Sequence, residues 1–404
     1  MPQPETLLTQ SNTLSVTSVR VTSIDILRAL TMVLMISVND LWSLTDIPAW
    51  LEHVSHDADG MGLADSVFPA FLFIVGMSLP YAIDARRKKG DSDATLVGHV
   101  IMRSIALLVM GVFLVNGESI NESATGLTRG VWNTLSCLSF ILIWNTYPKT
   151  VAKWIVTTSK GLGVAILLAL AFIYRGEEAP RFATHWWGIL GLIGWSYLAA
   201  ALVTVVARNR MPVLVLAWVA FALLSVANSA DLFPEAVHLI PGAISGGTLV
   251  GLTMGGVVIS TLFQEYRQRG DNKQMTLVFL VIAVALIGLA LYTRQFWGIS
   301  KLRETPAWLF LCSAFTILAF MAIYWLTDVG GKANWFTLIK PAGTDTLLCY
   351  LIPYFAYAGM TLLHLHLPEA VLVGGVGLLK SFLFAILCAW ITGQLNKVGV
   401  KLKL

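Results

Sequence analysis

The sequence predicts an all-α fold, a polytopic transmembrane helix bundle of 11–12 spans with both termini cytoplasmic. Three observations carry this reading. Of 404 residues, 56% are hydrophobic and only 12% are charged, where a soluble chain carries roughly 25% charged residues. Mean hydropathy is +0.74. Apolar runs of membrane-spanning length recur along the whole chain, and because an open sheet cannot satisfy its backbone in lipid, these runs are helices. The same numbers exclude a soluble enzyme, a collagen, a coiled coil, a disordered tail and a disulfide scaffold.

Taken in order, the spans fall near 24–44, 63–83, 100–116, 131–147, 161–174, 185–207, 211–228, 238–263, 275–293, 306–327, 342–363 and 369–396. The fifth is short and is the one lost if the count is eleven. The chain divides into a polar cytoplasmic tail (1–23), a transmembrane domain (24–396) and a second cytoplasmic tail (397–404). Residues 1–19 lack the apolar core of a signal peptide, so the first span is expected to be retained. Of the 27 Lys and Arg, 18 fall on the side of the N-terminus, six on the other, and three (Arg28, Arg103, Lys380) within spans. By the positive-inside rule, both termini are cytoplasmic. The net charge of +4 follows from this clustering and is not a nucleic-acid signal. The four cysteines all lie in apolar runs, without zinc spacing. Six glycines from Gly242 to Gly256 read as close helix packing rather than phosphate binding.

Two connectors are unusual. The exofacial loop Thr45 to Leu63 has no Lys or Arg but holds Asp46, Glu52, His53, His56, Asp57 and Asp59. The stretch 294–305 places Arg294, Lys301 and Arg303 on the exofacial side, against the charge rule, so these cations should serve a purpose there. Ionisable groups at membrane depth cost about 2.5–3.5 kcal/mol each, and they normally face a protein interior. Span one carries four polar candidates: Asp25 and Arg28, three apart and able to pair, then Asn39 and Asp40 near the outer face; Asp65 opens span two. Asp25 and Arg28 lie near the cytoplasmic end, whereas Asn39, Asp40 and Asp65, all near the outer face, are expected to share a cavity beneath the histidine loop. Lys380 reads as a cation in a locally loose, glycine-rich helix, and Asp345 as a helix cap.

The loop from His53 to Gly60 allows three readings. An imidazole oriented by Asp57, Asp59 or Asp65 suits a general base. His-x-x-His with two aspartates has enough ligands for zinc, although no metal is expected, since nothing holds the loop as a helix. The third reading is a solvated acidic loop.

These residues carry a resemblance. The stretch Arg20-Val-Thr-Ser-Ile-Asp25-Ile-Leu-Arg28-Ala29-Leu30, then Val38-Asn39, the histidine loop, and Ala64-Asp65-Ser-Val-Phe-Pro-Ala-Phe-Leu-Phe-Ile-Val-Gly76 resemble the heparan-α-glucosaminide N-acetyltransferase family. The chain looks closer still to a bacterial branch known only as a domain of unknown function, DUF5009, some members of which are named as N-acetylglucosamine-related transporters. Ile299-Ser-Lys301-Leu-Arg303 and Lys340-Pro-Ala-Gly-Thr-Asp345-Thr-Leu-Leu-Cys-Tyr350 resemble that branch as well. The resemblance implies an inner-membrane protein that takes acetyl-CoA from the cytoplasm and delivers its acetyl group to an amino sugar or glycan outside. It implies a catalytic pair of a loop histidine and the asparagine matched by Asn39. The family histidine stands ten residues before the aspartate matched by Asp65; here His53 stands twelve before it and His56 nine. His53 is preferred, because Trp50-Leu51-Glu52 keeps the family-like approach and a loop absorbs two extra residues cheaply.

The site expected from sequence is therefore His53, Asn39, His56 and Asp65 for catalysis, with Asp25, Arg28, Asp40, Lys301 and Arg303 binding substrate or acetyl-CoA. The expected partners are the bilayer, an amino sugar or glycan acceptor and a second copy of the chain, with no nucleic acid. The alternative is a transporter of amino sugars or cell-wall fragments, for which the buried charges would form a substrate or proton path.

Overall fold

The computed structural model describes residues 21–177, 180–233 and 240–404. The polar tail before Val21 and the first residues of the eighth expected span lie outside them. All twelve expected stretches carry a long helix: α1 (Thr22–Asn39), α2 (Leu63–Arg87), α3 (Asp93–Glu118), α4 (Arg129–Trp144), α5 (Lys153–Ile173), α6 (Ile189–Ala207), α7 (Met211–Ser229), α8 (Thr248–Arg269), α9 (Asn272–Trp297), α10 (Pro306–Tyr324), α11 (Thr346–Leu362) and α12 (Gly374–Lys397). Among the described residues, nine helices are long and apolar enough to cross a membrane. The fifth expected span is one of these, because α5 starts at Lys153 and reaches 21 residues. The other three, α1, α4 and α11, hold 18, 16 and 17 residues. Each stops at or starts from a polar residue: Asn39 and Asp40, Asn145, and Asp345.

Side-chain caps define several boundaries. Ser92 accepts from the Thr95 amide (3.2 Å) before α3, Thr128 from Val131 (3.3 Å) before α4, and Asp271 from Gln274 (2.9 Å) before α9, each satisfying an amide that the helix leaves unpaired.

The core is built around α1 and the α2–α8 pair. A Cβ on Gly76 would collide with the Thr253 carbonyl oxygen, and one on Gly256 with the Phe73 carbonyl. Only hydrogen fits where these two backbones cross, so the span-eight glycines pack helices, as their spacing suggested. Ser260 adds a hydrogen bond across the crossing to the Met77 carbonyl (2.6 Å). Helix α1 packs against α2, α10, α11 and α12 and is buried on most of its surface. By contrast α5, α7, α9 and α12 turn most of their apolar surface outward, the arrangement of a multi-pass membrane protein whose periphery meets lipid.

The orientation predicted from Lys and Arg counts is open to a direct check. A thiol at Ser55→Cys should react with an impermeant maleimide in whole cells, and one at Ser92→Cys only after permeabilisation. The reverse pattern would invert the topology.

Candidate functional site

Asp65 organises the site. It stands in the first turn of α2 with its side chain 2% exposed, where a helix N-terminus favours a carboxylate. One oxygen accepts from the Gly62 amide (3.1 Å) and the Val54 amide (3.0 Å). The other lies 2.6 Å from His53 Nδ1. One side chain thus ties together both ends of the loop and the helix start. Gly62 permits this, because a Cβ there would strike the Glu52 carbonyl oxygen where the two ends of the loop cross.

The short Asp65 contact places the proton on His53 Nδ1 and leaves Nε2 as the free base, a tautomer assigned from geometry. Lys301 Nζ lies 3.3 Å from the same Nδ1 and 3.9 Å from Asp65 Oδ1. With Nδ1 donating to the carboxylate, the ammonium acts on the dyad through its charge. Burial lowers the Lys301 pKa from its ordinary value, and the Asp65 carboxylate opposes that shift.

The far side of the loop is stapled to the 294–305 stretch. Asp59 accepts from the Ile299 amide (2.7 Å) and from Arg294 Nε (2.9 and 3.2 Å), the Gly60 amide donates to the Ile299 carbonyl (2.9 Å), and Arg303 Nη2 reaches the Ala58 carbonyl (3.4 Å). The Ile299 amide is the largest of the influences that hold the Asp59 carboxyl below its usual pKa. Each cation of this stretch thus has a partner in the loop: Arg294 and Arg303 hold it down and Lys301 lies beside its histidine.

His56 is placed differently. It pairs with Asp57 (2.9 Å), with both side chains largely exposed. The two loop histidines therefore have different aspartates. Among the described residues, no three His, Cys, Asp or Glu side chains converge as metal ligands.

Asn39 and His53 line one cavity of about 370 Å³, together with Met35, Lys301, Glu304 and Trp308. Glu304 and Trp308 escaped the sequence reading. The Trp308 indole donates to the Asp65 carbonyl (3.0 Å), and burial pushes the Glu304 carboxyl up to about 7. The only sequence signal for Glu304 was its place beside Arg303 in a polar stretch.

Asp40 corrects the expectation of one shared cavity. Its carboxylate turns toward α11 and α12, accepting from Tyr357 (2.8 Å), Lys380 (2.6 Å) and Ser381 (2.6 Å). Asn39 lines the His53 cavity, whereas Asp40, one residue beyond the last turn of α1, is turned about 100° away from it. Lys380 is accordingly an ion-pair partner and not a cation in a loose helix.

Asp25 and Arg28 sit at the opposite end of α1. Arg28 pairs with Asp25 (3.1 Å) and donates to the Gly343 carbonyl (2.9 Å) and to Ser78. It lines a second cavity of about 340 Å³ with Ser78, Arg103 and Tyr197. The Arg103 guanidinium lies over the Tyr197 ring, 4.7 Å from its centroid, and its Nε is buried without a partner. This cavity shares Met35 and Ile189 with the His53 cavity. The tail expected at 397–404 packs against this cavity. The Leu402 amide donates to Asp345 (3.2 Å), and Leu402, Lys403 and Leu404 line the wall. Asp345 thus binds the tail and makes no side-chain cap on α11.

Heparan-alpha-glucosaminide N-acetyltransferase of Mus musculus is 33% identical over 118 residues, 28% of this chain and 16% of the mouse protein. The Homo sapiens protein of the same name is 32% identical over 101 residues, 24% of this chain and 14% of its own length. The aligned region thus spans less than a fifth of each relative. The family model described as "Domain of unknown function (DUF5009)" matches residues 20–238, more than half of the chain and the whole stretch from α1 through the histidine loop to α7. The chain belongs to the DUF5009 family.

Proposed function

We propose that this protein is a transmembrane acetyltransferase, moving an acetyl group from cytoplasmic acetyl-CoA to the amine of an amino sugar or glycan on the exofacial side. The observation that carries the reading is the His53–Asp65 dyad, whose imidazole lines one cavity with Asn39 while the carboxylate stays buried behind it. A carboxylate that holds Nδ1–H leaves Nε2 to take a proton, and it stabilises the imidazolium that forms.

His53 takes the proton from the acceptor amine as its nitrogen attacks the thioester carbonyl. The N–C bond forms, the C–S bond breaks, and the imidazolium returns the proton to the departing thiolate, giving an amide and free thiol. Asn39 donates its side-chain amide to the carbonyl oxygen as negative charge builds there.

The opposite cavity supports the donor side of the reading. Arg28 and Arg103 line it, and guanidinium groups suit a phosphate-bearing group. Arg28 and Asn39 lie eleven residues apart on α1, about 16 Å at 1.5 Å per residue, a span that an extended pantetheine arm can cover. Acetyl-CoA supplies the activated acyl group when bound.

Purified protein in detergent should bind acetyl-CoA and acetylate glucosamine. Arg103→Gln should weaken acetyl-CoA binding about tenfold, because a charge-assisted contact is lost. Failure of the wild type to bind acetyl-CoA, together with sugar uptake by proteoliposomes, would overturn the transferase and favour the transporter.

A further inference from the structure

The reaction derived above uses His53, Asp65 and Asn39. It leaves Glu304 idle, although Glu304 lines the same cavity as His53 and Asn39.

The backbone at Glu304 is unusual. Its φ is 50°, in the left-handed region that residues with a Cβ rarely adopt and that glycine fills at less cost. Its neighbours hold it there. The Glu304 amide donates to the Lys301 carbonyl (3.1 Å), the Thr305 amide to the Ser300 carbonyl (3.1 Å), and the Thr248 hydroxyl of α8 to the Glu304 carbonyl (2.5 Å). A strained residue that its surroundings keep in place points to a use for its side chain.

The carboxyl lies among neutral groups. A Cβ on Gly246, just ahead of α8, would stand 3.5 Å from Glu304 Oε2 and 3.8 Å from the Asn228 side-chain nitrogen. Asn228 of α7 and Thr248 of α8 carry no charge. Lys301 and His53 share the cavity wall, but both are engaged by Asp65, and Arg303 is turned to the Ala58 carbonyl. Among the described residues, no hydrogen-bond donor and no cation pairs with the Glu304 carboxyl. Burial without such a partner disfavours the charged form and is what pushes its pKa up to about 7. Near neutral pH much of it is therefore a carboxylic acid, with a proton to donate. An acid held neutral in this way can serve where negative charge develops on oxygen.

We propose that Glu304 donates a hydrogen bond from its carboxyl O–H to the acyl carbonyl oxygen in the His53 cavity, as a second donor beside Asn39. This rests on the acetyltransferase reading. As the amine nitrogen attacks, the N–C bond forms and the carbonyl π pair moves onto oxygen, where the Glu304 O–H and the Asn39 amide stabilise it. That pair re-forms the carbonyl as the C–S bond breaks, and the departing thiolate takes the proton that His53 carries. Glu304 keeps its own proton throughout.

The test is the pH profile of acetyl transfer to glucosamine, from about pH 6 to about pH 9, for wild type, Glu304→Gln and Glu304→Ala. The acid form is the active one, so wild-type turnover should fall as pH rises past about 7. Glu304→Ala should lose about 10²–10³-fold at the acid end, the loss expected for one oxyanion donor. Glu304→Gln has an amide that donates at every pH, so it should recover about tenfold of that loss and show no alkaline decline. An alkaline decline that persists in Glu304→Gln would overturn the proposal, as would wild-type rates in Glu304→Ala. The infrared difference between wild type and Glu304→Gln reads the group without any transfer. It should show a carboxylic-acid carbonyl band at about pH 6 that is gone by about pH 9, and its absence would overturn the proposal whatever the rates. A wild type that transfers nothing would instead sink the acetyltransferase reading, and this role with it.

Discussion

His53→Ala is expected to lose acetyl transfer by about 10²–10⁴-fold, the usual contribution of a general base, while acetyl-CoA still binds. His56→Ala should keep most of both. His53 Nδ1 is held 2.6 Å from a buried carboxylate, its ring lines the cavity that contains Asn39, and Lys301 lies beside it. His56 has only the exposed Asp57, a pairing of the kind that contributes little. The acetyl-CoA contacts proposed here lie at the other end of α1, so removing the imidazole leaves the donor site intact. Steady-state transfer to glucosamine, with acetyl-CoA binding measured on the same preparations, separates the outcomes. Full activity in His53→Ala would remove this histidine from the chemistry, and loss of activity in His56→Ala alone would transfer its role.

The second large effect concerns stability. Lys380→Met should lower the stability of the bundle by about 3–5 kcal/mol, the cost of leaving a buried charge without its partner. Asp40 is 4% exposed at its side chain and lies 2.6 Å from the Lys380 ammonium, between α1 and α12. Combining Lys380→Met with Asp40→Asn should recover most of the loss. The asparagine oxygen still accepts from Tyr357, and its NH₂ group donates to Ser381, whose hydroxyl can rotate to accept. Thermal unfolding in detergent of the two single variants and the double variant measures the coupling. Additive losses would show that the pair does not clamp α1 to α12.

Asp40 and Asn39 illustrate how far the sequence reaches. Their cost at membrane depth was visible in composition alone, so that both had to face protein was legible. Which protein they face was not. That depends on the rotation of α1 against helices more than 300 residues away in sequence, a property of packing that no local pattern encodes.

What the sequence by itself determined is whatever depends on local hydrophobicity and local charge. The twelve apolar stretches became helices where expected, because lipid compels each run to satisfy its own backbone. The glycines of span eight marked a close helix crossing, and the cations of 294–305 stood out against the expected charge rule. Tertiary structure decided the rest. It closed the twelve-residue gap from His53 to Asp65 with one carboxylate, gave Arg294 and Arg303 the loop to hold, joined Asp40 to Lys380, and brought Glu304 into the histidine cavity. A side chain's partner is chosen by how helices rotate and pack, and that choice rests on contacts between residues far apart in the chain.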